Sequence, residues 1–92
     1  GPKIRLACFR SHFADIEEGA RFLIDTEWPP DQGNSERVSV TYKQLPEDVE
    51  PDDILLIDDG HIVLKVERVH GPVIETTVVT GGRVSDHKGL NR

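Results

Sequence analysis

Residues 54–67 read ILLIDDGHIVLKVE, and their pattern decides the fold. Ile54 to Ile57 form a short continuous apolar run, as in a strand covered on both faces. Ile62, Leu64 and Val66 then alternate with Val63, Lys65 and Glu67, the period-two signature of a pleated strand. Asp58-Asp59-Gly60 between them is a tight-turn tripeptide, so the stretch reads as a hairpin.

The same period extends outward. Val73 to Val79 is rich in β-branched residues, which favour a strand over a helix. Phe22 and Ile24 alternate with Arg21 and Asp25; Val38, Val40 and Tyr42 alternate with Arg37, Ser39 and Thr41; Ile4, Leu6 and Cys8 alternate with Lys3, Arg5 and Ala7. Turn signals stand between the runs at Glu18-Gly19, Trp28-Pro29-Pro30 through Gly33-Asn34, Pro51-Asp52-Asp53, Gly71-Pro72 and Gly81-Gly82. Phe13, Ile16, Ala20 and Leu23 have helical spacing, but Gly19 interrupts it and the alternation that follows prevails. Gln44 to Val49 admits one short helical turn beside Pro46. The polar segment Glu27 to Glu36 reads as a surface loop, with Trp28 packing over a barrel mouth. The expectation is all-β: one domain over 1–92, a small closed or partly open β-barrel of about seven short strands.

Ninety-two residues suit one domain with a small stability margin. No apolar run reaches the roughly 20 residues a bilayer needs, and GPKIRLACFR lacks the apolar core of a signal peptide. The sequence does not begin with Met, so either it was cut from something longer or Gly1-Pro2 are an expression scar. The lone Cys8 excludes an internal disulfide; its apolar neighbours predict a buried thiol in a reducing compartment, with no nearby His to activate it. The net charge of −6 opposes general binding to nucleic acid or to an anionic membrane. Yet Lys3, Arg5 and Arg10 open the chain and His87, Lys88 and Arg92 close it, while acids crowd Glu47 to Asp59. Basic ends on an acidic body suit local capture of an anion. The acids lack the spacing of a calcium loop and read as a solvated turn. His12, His61, His70 and His87 are scattered, so no zinc site and no complete catalytic constellation is expected within the chain.

Four stretches, in order, resemble the pyruvate kinase family. GPKIR is similar to the motif where that family's chain leaves its catalytic barrel to form a small inserted β domain. Tyr42-Lys43-Gln44-Leu45 resembles the Tyr-Lys-Asn-Leu element, and Ile57-Asp58-Asp59-Gly60-His61-Ile62 the family's Asp-Asp-Gly hairpin. Val79-Thr80-Gly81-Gly82-Arg83-Val84 and His87-Lys88-Gly89-Leu90-Asn91 resemble its Gly-Gly run and closing Lys-Gly-Val/Ile-Asn. The wording of LPEDVEPDDILLIDDG leans toward bacterial-type enzymes.

The resemblance implies a β-barrel lid, the B domain, inserted in a (β/α)₈ catalytic barrel. It implies a parent kinase of glycolysis, cytoplasmic and homotetrameric, that transfers a phosphoryl group from phosphoenolpyruvate to ADP, giving pyruvate and ATP. It places the ligands of Mg²⁺ and K⁺, and the catalytic residues, outside these residues, so this segment alone is expected to be inactive. Carried over residue by residue, Arg5 and Lys88 would contact the phosphates of ADP/ATP, and Asp59 would bond to the barrel on lid closure. Gly1, Pro2 and Gly89 fall where hinges would be. Two other readings stand beside this one: a free-standing acidic β-barrel interaction module without catalysis, and an insertion with a purely structural role.

Overall fold

The computed structural model describes residues 3–92; the expected hinge residues Gly1 and Pro2 lie outside the described residues. Alternation in the central hairpin gives the architecture its inside. Ile62, Leu64 and Val66 project to one face and are essentially inaccessible to solvent, while Val63, Lys65 and Glu67 remain partly exposed. The neighbouring strands meet this face with their own alternate residues, and one apolar core results.

The order of elements is β1 (Phe13–Ile16), β2 (Arg21–Asp25), β3 (Arg37–Val38), α1 (Leu45–Asp48), β4 (Ile54–Ile57), β5 (Ile62–His70), β6 (Val73–Thr80), β7 (Gly82–Ser85) and β8 (Leu90–Asn91). Six strands form one sheet in the order β3-β2-β6-β5-β4-β8, and β1 pairs with β7 in a separate two-stranded sheet. All the pairs are antiparallel except β2 with β3. The β5–β6 register shifts between Val63 and Leu64 and again between Val66 and Arg68. Such irregularities increase twist and let a sheet curl around its core. Thr76 points into that core, where its hydroxyl donates to the Phe22 carbonyl at 2.7 Å, so its polar atom is satisfied.

The segment before β1 closes the curled sheet. Leu6 N donates to Lys88 O and Leu90 N to Ile4 O, both at 2.9 Å, on the β8 side. On the β3 side, Ala7 N donates to Ser39 O at 3.0 Å and Thr41 N to Arg5 O at 2.9 Å. Residues 4–7 thus bridge the two edges of the six-stranded sheet, giving a small, partly open β-barrel as the alternation predicts.

The structure corrects several local expectations. Residues 3–8 make isolated bridges and no continuous strand, because their hydrogen bonds divide between two partners. The run at 37–42 is a strand only over Arg37–Val38; beyond it Val40 makes a single bridge to Leu6. Strand β4 is covered on one face only: Leu55 and Ile57 are fully buried, but Ile54 is 43% exposed. Gly81-Gly82, read as a turn, instead leads directly into β7. Trp28 is half-buried in its loop: its indole Nε1 donates to Gln32 O at 2.7 Å, and the Arg37 guanidinium lies 4.8 Å from the ring centroid. The short helical turn forms as expected, with Tyr42 Oη donating to Asp48 at 2.6 Å beside it.

Gly81 has a steric reason to be glycine. A Cβ there would lie 2.5 Å from the Ile16 carbonyl oxygen and 2.9 Å from Glu18 N, both rigid backbone. Gly89 has no atom within 4 Å of the equivalent position. Gly81→Ala should therefore cost about 1–3 kcal/mol by overpacking, measured as a lowered urea midpoint, while Gly89→Ala changes it little.

Candidate functional site

The pairing that closes the barrel also builds a groove. Arg5 faces Gly89 in an antiparallel bridge, so the segment carrying Arg5 runs beside the one carrying Lys88. The β4–β5 turn joins them, because Asp58 N donates to Gly89 O at 3.0 Å. Together these segments line a cavity of about 770 Å³ whose walls include Lys3, Arg5, Asp58, Asp59, His87 and Lys88. Four cations, Lys3, Arg5, Lys88 and Arg92, line it against three carboxylates, Asp58, Asp59 and Asp86. On a chain of net charge −6, this is a local reversal of sign.

The two predicted anion-binding cations keep spare donors. Arg5 Nη1 donates to the His87 carbonyl at 3.2 Å, which fixes the guanidinium while leaving most of its fork free. Lys88 Nζ stands 3.9 Å from Asp58 Oδ1, with its side chain 41% exposed. That distance is a loose, partly exposed ion pair. Asp58, within its turn, faces Lys88 and stands 3.8 Å from His61 Nδ1.

Asp58 and Asp59 are consecutive left-handed residues, at φ 55° and 56°. Aspartate tolerates this region better than most side chains, and Gly60 follows at φ 88°. Backbone bonds hold the turn: Gly60 N to Ile57 O at 3.2 Å and His61 N to Asp58 O at 3.1 Å. No side-chain bond from Asp59 supports the turn among the described residues. Among the described residues Asp59 has no side-chain partner, and it is exposed at the tip of the turn. Its carboxylate is thus available to a basic group on another surface.

Cys8 makes a contact that its local sequence does not signal. Cys8 is half-buried, not a core residue, and its Sγ lies 3.1 Å from His87 Nε2. The expected absence of a nearby histidine fails because the end-to-end pairing brings His87 beside Cys8. Only the knowledge that the ends pair could have revealed it. The adjacent Asp86 ties the same segments: its Oδ1 accepts from Phe9 N at 2.6 Å and its Oδ2 faces His12 Nδ1 at 3.0 Å. A second cavity of about 650 Å³, beside Trp28 and Arg37, holds none of the predicted site residues.

Comparison with known proteins agrees over the full length. The family model described as pyruvate kinase, barrel domain, matches residues 1–92. The pyruvate kinase of Haemophilus influenzae is 44% identical over 92 residues, and so is pyruvate kinase II of Salmonella typhimurium; the match covers 100% of this chain and 19% of each relative. The pyruvate kinase of Mycobacterium tuberculosis is 43% identical over 91 residues. A crystal structure of a pyruvate kinase from Cryptosporidium parvum superposes with a TM-score of 0.93 at 27% identity, over 99% of this chain and 18% of that one. The chain therefore spans about a fifth of the length of the curated relatives it matches.

Asp86 gives the groove wall a pH dependence. The Phe9 amide, and then His12, hold its carboxyl below the ordinary value of 3.8. A carboxyl lowered by folding contributes stability above its unfolded value and loses that contribution as the pH falls through its folded one. Unfolding midpoints measured from pH 6 downward should fall less steeply below about pH 4 in Asp86→Asn than in the wild type.

Proposed function

The chain belongs to the pyruvate kinase family, and from that premise we propose that it is the lid of such an enzyme, closing in the cytoplasm over the site where phosphoenolpyruvate and ADP give pyruvate and ATP. The observation that carries this reading is the groove, where Arg5 and Lys88 meet from opposite ends of the sequence. The paired ends also suit a domain inserted in a larger chain, since an insertion must leave and re-enter its host at neighbouring points.

Each residue has a physical task in this reading. Phosphoryl transfer depends on positioning and on cations that offset charge on the phosphate oxygens. Arg5 offers a planar fork that can bridge two phosphate oxygens, and its bond to the His87 carbonyl preorganises it. Lys88 adds a compact charge from the adjacent segment. Asp59, exposed at the tip of its turn, bonds to a basic residue of the host barrel on closure. Closure excludes water, which directs the phosphoryl group to ADP and away from hydrolysis. Mg²⁺ supplies further charge neutralisation in this chemistry, and K⁺ accompanies it; in this reading the host barrel provides the ligands of both. The parent assembles as a tetramer through other parts of its chain. The free-standing adaptor reading is less favoured, because the groove is lined by charged and not aromatic side chains.

Two measurements test the proposal. The purified 92-residue chain should form no pyruvate from phosphoenolpyruvate and ADP, and turnover by it would refute the dependence on a host barrel. In the full-length enzyme, Arg5→Ala or Lys88→Ala should each raise KM for ADP or lower kcat by about tenfold or more, the loss expected for one charge-assisted bond to phosphate. Unchanged constants in both variants would leave the segment a purely structural insertion.

A further inference from the structure

The Cys8–His87 pair lies outside the phosphate-binding and lid-closing roles assigned above. Its geometry is that of a nucleophile beside a base: Sγ and Nε2 are 3.1 Å apart, at a solvent-exposed position. The backbone fixes this approach. His87 N reaches Ala7 O at 3.4 Å, the neighbouring Leu6 N–Lys88 O bond measures 2.9 Å, and Arg5 holds the His87 carbonyl. His87 adopts φ 62°, a left-handed value that non-glycine residues seldom take without surrounding support. Among the described residues, no group of three or more His, Cys, Asp or Glu side chains is arranged to hold a metal ion, so the pair does not read as part of such a site.

We propose that Cys8 is a thiolation site, with His87 as its base and a small anionic disulfide as its co-reactant. His87 Nε2 takes the thiol proton. Sγ attacks one sulfur of the disulfide, the reagent's S–S bond breaks, and a mixed disulfide forms at Cys8. The departing thiolate leaves with the electron pair and recovers the proton from His87. Cys8 and one half of the reagent end as the new disulfide, and the other half ends reduced as a thiol, so no further oxidant is needed. The choice of an anionic reagent follows from the groove that His87 lines, where the cations of Lys3, Arg5, Lys88 and Arg92 outnumber the carboxylates of Asp58, Asp59 and Asp86. The adduct interposes itself between Cys8 and His87, whose carbonyl anchors Arg5 and whose neighbour is Lys88.

The test uses oxidised glutathione as the probe and mass spectrometry of the intact chain at neutral pH as the readout. The native wild type should gain one adduct, absent from Cys8→Ser, at least about tenfold faster than the same chain unfolded in urea, as expected for a positioned general base. His87→Asn should remove that advantage; asparagine tolerates the left-handed backbone, and circular dichroism matching the wild type confirms that the barrel is retained. A native rate no greater than the unfolded rate overturns the proposal. So does a wild-type rate equalled by a folded His87→Asn variant.

Discussion

Residues 4–7 are the constraint on which the rest depends. They divide five backbone hydrogen bonds between two sheet edges, three toward residues 87–90 and two toward 39–41. Without them the six-stranded sheet is a curled but open surface with its core exposed along a seam. Their partners lie far away in sequence, as the 82-residue separation of Arg5 and His87 illustrates. Loop-closure entropy makes such a contact costly to form before the sheet exists, and local hairpins such as β4–β5 and β5–β6 must supply the template. The same closure that completes the barrel assembles the groove.

That dependence explains what the sequence revealed. Period-two alternation was legible in Ile62 to Glu67 and in Arg21 to Ile24 because one face of each run is buried and the other is at least partly exposed; Asp25, next in the pattern, is buried against Arg37. It misled at Ile54 to Ile57, where four apolar residues imply two covered faces, yet the outer face is left to solvent. It was silent on β7, because a Gly-Gly pair signals a turn unless one knows that Ile16 and Glu18 crowd against Gly81. At the site, the residue types of Arg5, Lys88 and Asp59 were legible through a family resemblance. The contacts of Cys8 with His87 and of Asp58 with Lys88 were not, because they are products of closure and leave no local pattern.

Electrostatics follows the same logic. The acids between Glu47 and Asp59 are largely used locally: Asp48 accepts from Tyr42, Asp53 from the Glu50 amide, and Asp52 faces Lys65 at 3.4 Å. The basic residues of the two ends become a patch only when the ends meet. A chain that repels anions as a whole thus presents one place that attracts them, and folding creates that place.

The split loyalty of residues 4–7 has a further meaning for how molecules of this kind avoid one another. A sheet edge is a row of unsatisfied amides and carbonyls, open to any strand that arrives. Here a single short segment covers both edges, so its complete release uncovers both. If that segment peels away, β3 and β8 are bared together and the molecule becomes a two-ended template, able to receive the same segment from a neighbour at either side. The order of assembly that results is exchange between copies, and the seam that seals one barrel is also the place where two could be stitched together.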